Sequence, residues 1–280
     1  MDTKNYLSPA EITAFTSDVG VTKAKLPRYK QLMLAFLAGV FIAFASEGSN
    51  MAAFNLLSNP DTYGLGRFVA AIVFGTGLML VVIAGGELFT GNTLLIVALL
   101  DKKITLKDML SNWLYVYGGN LIGSLFIAVM MFFSGLFNNG GGLLGGMTIK
   151  IAYGKVNMPF YSALVTGIMC NWLVCLAVWM SYAAKDITGK ILSIFFVIGL
   201  FITSGFEHCV ANMYYIPAGI LAKSNALWVE QSKLTIEQLN SLNWGSFFTK
   251  NLLPVTIGNI IGGAFFVGAW YWFVYNKKKD

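Results

Sequence analysis

The chain has 280 residues, 56% of them hydrophobic and 11% charged, with a formal net charge of +6. A soluble globular chain carries about 25% charged residues, so this deficit, with uncharged runs at 109–149 and 251–276 long enough to span a bilayer, excludes an ordinary soluble domain. The basic balance is read as orientation of membrane loops, not as a nucleic-acid surface.

Residues 1–30 are polar and lack the apolar stretch of a cleavable signal. Within them "SPAE" at 8–11 reads as a helix start, with Ser8 as the cap, Pro9 in the first turn and Glu11 at the third helical position. The expectation is an amphipathic helix that either lies on the membrane or covers a pore mouth. Apolar segments follow at 31–55, 65–100, 109–136, 159–184, 191–222 and 252–276, with a short tail at 277–280. Segments two and five are too long for one simple span. Each contains a polar interruption, "GGELFTGN" at 85–92 and "TSGFEHCVAN" at 203–212. Irregular backbone at membrane depth is tolerated only where protein or water satisfies it, so both are read as broken helices. Between segments three and four, "NNGGGLLGG" at 138–146 reads as a flexible turn outside the membrane.

The breaks are related. Glu87 precedes Asn92 by five positions, as Glu207 precedes Asn212, and the next span in each half carries "GNLIG" at 119–123 and "GNIIG" at 258–262. The same order in both halves indicates a duplication, with one repeat at about 31–136 and the other at about 159–276. Three spans is an odd number, so the second repeat inserts upside down relative to the first. Matching interrupted segments point to a transport site between the repeats. The N-terminal segment, the loops after segments two and four and the tail carry most of the lysines; Arg67, Lys150, Lys155, Lys223, Lys233 and Lys250 fall on the other side. Both termini are therefore expected in the cytoplasm.

Ionisable and amide side chains inside a membrane are costly and usually face a bundle interior or a water path. Glu87 and Glu207 fit either an architectural role, accepting from freed N–H groups or Asn donors, or direct ion binding. Asn92, Asn120, Asn212 and Asn259 fit bridges between close helices. His208, the only histidine, is either a satisfied core residue or a pore-facing group beside the break, with Thr90 near the matching break. Imidazole can donate a hydrogen bond to an anion and changes charge in the physiological range. Lys155 in "YGKVNMPF" is an ordinary loop lysine or, folded toward a vestibule, a charge that concentrates anions. Phe74, Leu78, Leu88, Phe89 and Phe201 are core or lipid-facing, or they form an apolar constriction. Glu47 in "FASEGSN" is expected near the end of span one, toward the interface. Cys170, Cys175 and Cys209 read as small hydrophobes, and Cys209 with His208 lacks the further ligands of a metal site. There is no phosphate-cradling loop after a strand and no H-E-x-x-H, so neither an enzyme nor a cofactor is expected. Neither Asn92 nor Asn212 precedes proline, so the paired Asn-Pro-Ala half-helices of neutral-solute channels are missing.

"GGELFTGNTLLI", "GIMCNWLVCLAVWMSY", "SGFEHCVANMYYIPAGI" and "NLLPVTIGNIIGGAFFVG" resemble signature segments of the formate/nitrite transporter family, in the family's order, from about Leu32 to Tyr275. "ANMYYIPAGI" and "LLPVTIGNIIGG" look nearer to its bacterial formate channels, while "TGNT" after Phe89 resembles nitrite and hydrosulfide relatives as much. The resemblance implies an all-α, aquaporin-like bundle of six transmembrane helices with inverted three-helix repeats and helices two and five broken. It implies a homopentamer in the bacterial inner membrane with one pore per protomer. The permeant would be a small monovalent anion or its acid: formate, or alternatively nitrite or hydrosulfide. By motif, Thr90 and His208 would be the central polar pair and Lys155 would attract anions to the periplasmic vestibule. Asn171 and Asn259 would line or brace the path, and Phe74, Leu78, Leu88, Phe89 and Phe201 would form two constrictions.

Overall fold

A computed structural model describes residues 4–275; the expected tail at 277–280 lies outside the described residues. Helix α1 spans Pro9–Ala24. Glu11 folds back to accept from the Ser8 N–H at 2.6 Å, and the hydrogen bonds from Ser8, helped by Lys4, hold its carboxyl down to about 2. Helix α2, Arg28–Ser58, is the first of six helices among the described residues long and apolar enough to cross a membrane. Helix α3 covers Pro60–Gly85, and the short helix α4, Phe89–Leu100, follows after a break. Helix α5, Leu106–Phe133, completes the first repeat. Helix α6, Leu143–Val156, connects the halves. The second repeat then follows as α7 (Phe160–Ala183), α8 (Ile187–Ser204) and, after its own break, α9 (Cys209–Ala222). Two short helices, α10 (Ala226–Ser232) and α11 (Ile236–Ser241), lead to α12 (Trp244–Tyr275).

The chain differs from the sequence expectation at two places. Residues 138–146 are not a flexible turn throughout: Gly140, Gly141 and Gly142 turn with positive φ, and α6 starts at once with Leu144, Gly145 and Gly146 buried. A Cβ on Gly145 would stand 2.5 Å from the Trp228 ring of α10, so the glycines that looked like flexibility allow close packing instead. The last span begins eight residues before the apolar run, because Asn243 Oδ1 accepts from Ser246 N at 2.9 Å and caps the helix there.

Packing follows the duplication. Helix α2 lies on α3 and α5 as α7 lies on α8 and α12, and the two halves meet along α3 and α8. The GNLIG and GNIIG segments are the closest crossings. A Cβ on Gly123 would stand 2.1 Å from the Phe36 carbonyl oxygen of α2, and one on Gly262 would stand 2.2 Å from that of Ile168 in α7. Small residues that let backbones approach are the main cohesive device between membrane helices. Gly123→Val and Gly262→Val each cost about 1–3 kcal/mol or more, so they are expected to lower the thermal midpoint and the yield of monodisperse protein. Gly199→Ala, where a Cβ meets open space, should leave both measurements unchanged.

Candidate transport site

The breaks are two copies of one structure. Gly85 and Gly205 end the preceding helices with φ of +101° and +80°, a region natural to glycine. The chain then runs extended, and Glu87 N and Glu207 N donate back to the first helix of their own repeat, to Leu34 O at 3.1 Å and Thr166 O at 3.4 Å. One carboxamide per half closes each break. Asn120 accepts from Phe89 N at 2.9 Å and donates to Glu87 O at 2.9 Å and Ala35 O at 2.8 Å. Asn259 accepts from Cys209 N at 2.9 Å and donates to Glu207 O at 3.0 Å and Gly167 O at 2.7 Å.

The carboxylates are equally matched. Lys155 Nζ reaches Glu207 Oε1 at 2.7 Å, and Asn212 Nδ2 donates to Glu207 Oε2 at 2.7 Å. Asn251 joins Asn212 at 2.7 Å and donates to the Lys155 carbonyl at 2.9 Å. In the other half Lys23, from α1, reaches Glu87 Oε1 at 2.7 Å, and Asn92 Nδ2 donates to Glu87 Oε2 at 2.6 Å. Asn112 joins Asn92 at 2.9 Å and donates to the Lys23 carbonyl at 3.3 Å. Lys23, Asn112 and Asn251 were not singled out from the sequence. A signal existed for the two amides: each lies eight residues before the GN asparagine of its half. Helix α1 therefore sits against the first break, where Lys23 lines a cavity.

Two cavities approach the breaks from opposite sides. One, on the Lys155 side and called the outer cavity after the expected orientation, has about 630 Å³ and is lined by Lys155, Glu207, Asn212, Phe201 and His208. The inner one, about 260 Å³, is lined by Lys23, Glu87, Asn92, Leu78 and Leu88. Between them the rings of Phe74 and Phe201 meet edge to face at 5.7 Å, both buried. Thr90, next to Gly91 of the inner cavity, bonds His208 of the outer one, Oγ1 to Nε2 at 3.0 Å. His208 caps α9: its Nδ1 accepts from Ala211 N at 3.1 Å. That contact assigns the ring proton to Nε2, so the ring donates to Thr90 Oγ1 and leaves the threonine hydrogen free to donate elsewhere. Asn171 supports this side, donating to Thr90 O at 3.2 Å, Thr93 Oγ1 at 3.1 Å and Asn259 O at 2.6 Å.

Two sequence expectations are corrected, those for Phe89 and Glu47. Phe89 lies outside the constriction: it packs edge-on against Tyr117 at 4.8 Å and Trp113 at 6.1 Å and lines a separate cavity beside α5 and α12, because its backbone N–H is turned to Asn120. Of the two roles expected for Asn259, lining or bracing, its hydrogen bonds to Cys209 N, Glu207 O and Gly167 O fit the second. Glu47 is not at an interface: it is buried and accepts from the Tyr214 hydroxyl.

The family model for formate/nitrite transporters matches residues 10–273. The chain belongs to the formate/nitrite transporter family. It is 38% identical to the formate channel FocA of Escherichia coli K12 over 99% of this chain and 97% of that one. It is 42% identical to an uncharacterized transporter, YrhG, of Bacillus subtilis, over 98% and 95%. A solved pentameric formate channel with formate bound superposes with a TM-score of 0.79 at 38% identity, covering 89% of this chain and 98% of that one. The chain is a multi-pass membrane protein of a transport family and not an enzyme.

Lys155→Met would leave Glu207 buried without its cation, at a cost of about 3–5 kcal/mol. Its thermal midpoint should fall clearly, and adding Glu207→Gln should recover most of the loss.

Proposed function

We propose that the protein is a passive or proton-coupled channel for formate and related small monovalent anions in the bacterial inner membrane, acting as a homopentamer with both termini in the cytoplasm. Similarity across nearly the whole chain to formate channels, one of them pentameric, supports formate over nitrite or hydrosulfide. The excess of lysine in the N-terminal segment and the loops on its side supports the orientation. The domain reading is a cytoplasmic N-terminal segment at 1–30, a channel at 31–276 with its two repeats, and a tail.

The observation that carries the mechanism is the Thr90–His208 pair bridging two cavities through an apolar neck. Lys155 on one side and Lys23 on the other, each held at a cavity edge by its glutamate, present ammonium N–H groups to an approaching anion. Phe74, Phe201, Leu78 and Leu88 strip water from the permeant. A bare anion in such a neck costs many kcal/mol unless it is neutralised or hydrogen-bonded. The Thr90 hydroxyl, oriented by Nε2–H of His208, donates to one formate oxygen. Because Nδ1 is held by a backbone N–H, a proton that neutralises formate enters from the vestibule side and not through Nδ1.

Proteoliposomes presented with formate, nitrite and hydrosulfide in competition should pass formate preferentially. His208→Phe should lower formate flux by about tenfold or more and alter its pH dependence. Correctly inserted His208→Phe protein with unchanged flux and pH profile would contradict this mechanism.

A further inference from the structure

The outer cavity carries more positive charge than its acids offset. Arg67, Lys150 and Lys155 line it with the single carboxylate of Glu207, and that carboxylate is spent on Lys155. Arg67, near the start of α3, is half-buried and makes no ion pair among the described residues. Asp61, on the same helix, stands beyond salt-bridge distance of it. Glu47 does not line the cavity and turns its carboxyl to Tyr214.

The Arg67 guanidinium is only half used. Nε donates to Thr203 O at 3.4 Å and Nη2 donates to Ile202 O, so the edge between these two nitrogens closes the last carbonyls of α8. A Cβ on Gly205 would stand 3.1 Å from Nη2, which places the group beside the turn that opens the second break. Nη1 has no acceptor among the described residues and is not one of the side-chain atoms sealed without a partner. The other edge, Nη1 with the second hydrogen of Nη2, is therefore open on a residue that lines the cavity. Each edge of a guanidinium offers two parallel N–H groups at the spacing of two carboxylate oxygens, a match that the point charge of an ammonium lacks.

We infer that Arg67 is a specificity-determining residue: the free edge of its guanidinium takes both oxygens of a carboxylate or similar planar oxyanion in the outer cavity, ahead of Phe201 and His208. This rests on the proposed passage of formate and adds a selection step before the neck. Formate and nitrite each carry two oxygens on one atom and gain from both N–H groups. Hydrosulfide has a single sulfur and gains from the charge alone.

The first test compares full-length wild type and Arg67→Lys in liposomes for uptake of sodium formate and sodium hydrosulfide. Lysine keeps the charge and a donor for the α8 carbonyls but loses the two-pronged edge. The half-saturating formate concentration should rise about tenfold, with maximal formate flux and the half-saturation for hydrosulfide little changed. The second test needs no variant at the site. The chain has two arginines, Arg28 and Arg67, so uniform 15N-arginine labelling in lipid gives two sets of signals that Arg28→Lys assigns. 13C-formate should show dipolar contact with the Nη atoms of Arg67 and shift them, and hydrosulfide should not shift them. An unchanged half-saturation for formate in Arg67→Lys, an equal weakening of formate and hydrosulfide, or no contact between 13C-formate and Arg67 would overturn the inference. If Arg67→Lys fails to fold, the labelled wild type decides. Wild type that takes up hydrosulfide but no formate overturns the formate reading itself, whereas formate uptake indifferent to Arg67→Lys overturns only this inference.

Discussion

A main chain that leaves its helix at membrane depth must find partners for the N–H and C=O groups it frees. Here a single carboxamide in each half takes up two of them and ties them to a carbonyl of the first helix of its repeat, Asn120 at one break and Asn259 at the other. The rest of the architecture follows from that demand. Each asparagine reaches its break only because the glycines around it bring α5 onto α2 and α12 onto α7 at backbone contact. The extended residues at the breaks then fix where Glu87 and Glu207 point. Each carboxylate in turn collects an asparagine and a lysine. A buried carboxylate so partnered holds its lysine at the edge of a cavity, and the same lysine can meet an approaching anion.

The duplication makes the framework symmetrical, and the chemistry lies where the symmetry fails. Leu88 and His208 occupy the same extended position before their half-helices, with φ and ψ of −102° and 124° against −110° and 116°. Two residues later Thr90 stands where the other half has Val210. Had both halves carried leucine and valine, the neck would be wholly apolar. One histidine on one break and one threonine on the other meet across the pseudo-twofold and give the neck its hydrogen-bonding point. Lys23 comes from outside the repeats altogether, from α1, while its counterpart Lys155 ends α6, so the two lysines reached equivalent places from unrelated segments.

Much of this was legible in the residues, for a physical reason. A carboxylate or a GN pair in an apolar run stands out because membranes penalise it, so the breaks, the repeats and the pairing of Glu87 with Asn92 and Glu207 with Asn212 could be read directly. Lys23 could not, since a lysine in a polar segment carries no such penalty and looks like a charge that sets orientation. Phe89 misled because an aromatic beside a break has no periodicity to show which way its backbone turns. The glycines before α6 read as a flexible turn because composition alone does not distinguish freedom from close approach.

The central claim is that His208 holds its proton on Nε2, toward Thr90, while Nδ1 takes a backbone N–H. Since the chain has one histidine, uniform 15N-histidine labelling reports this ring alone. Solid-state NMR of the protein in lipid should show a protonated Nε2 and an unprotonated Nδ1 in the absence of permeant, with the Nε2 resonance moving when formate is added. A resting ring protonated on Nδ1, alone or on both nitrogens, would contradict the account.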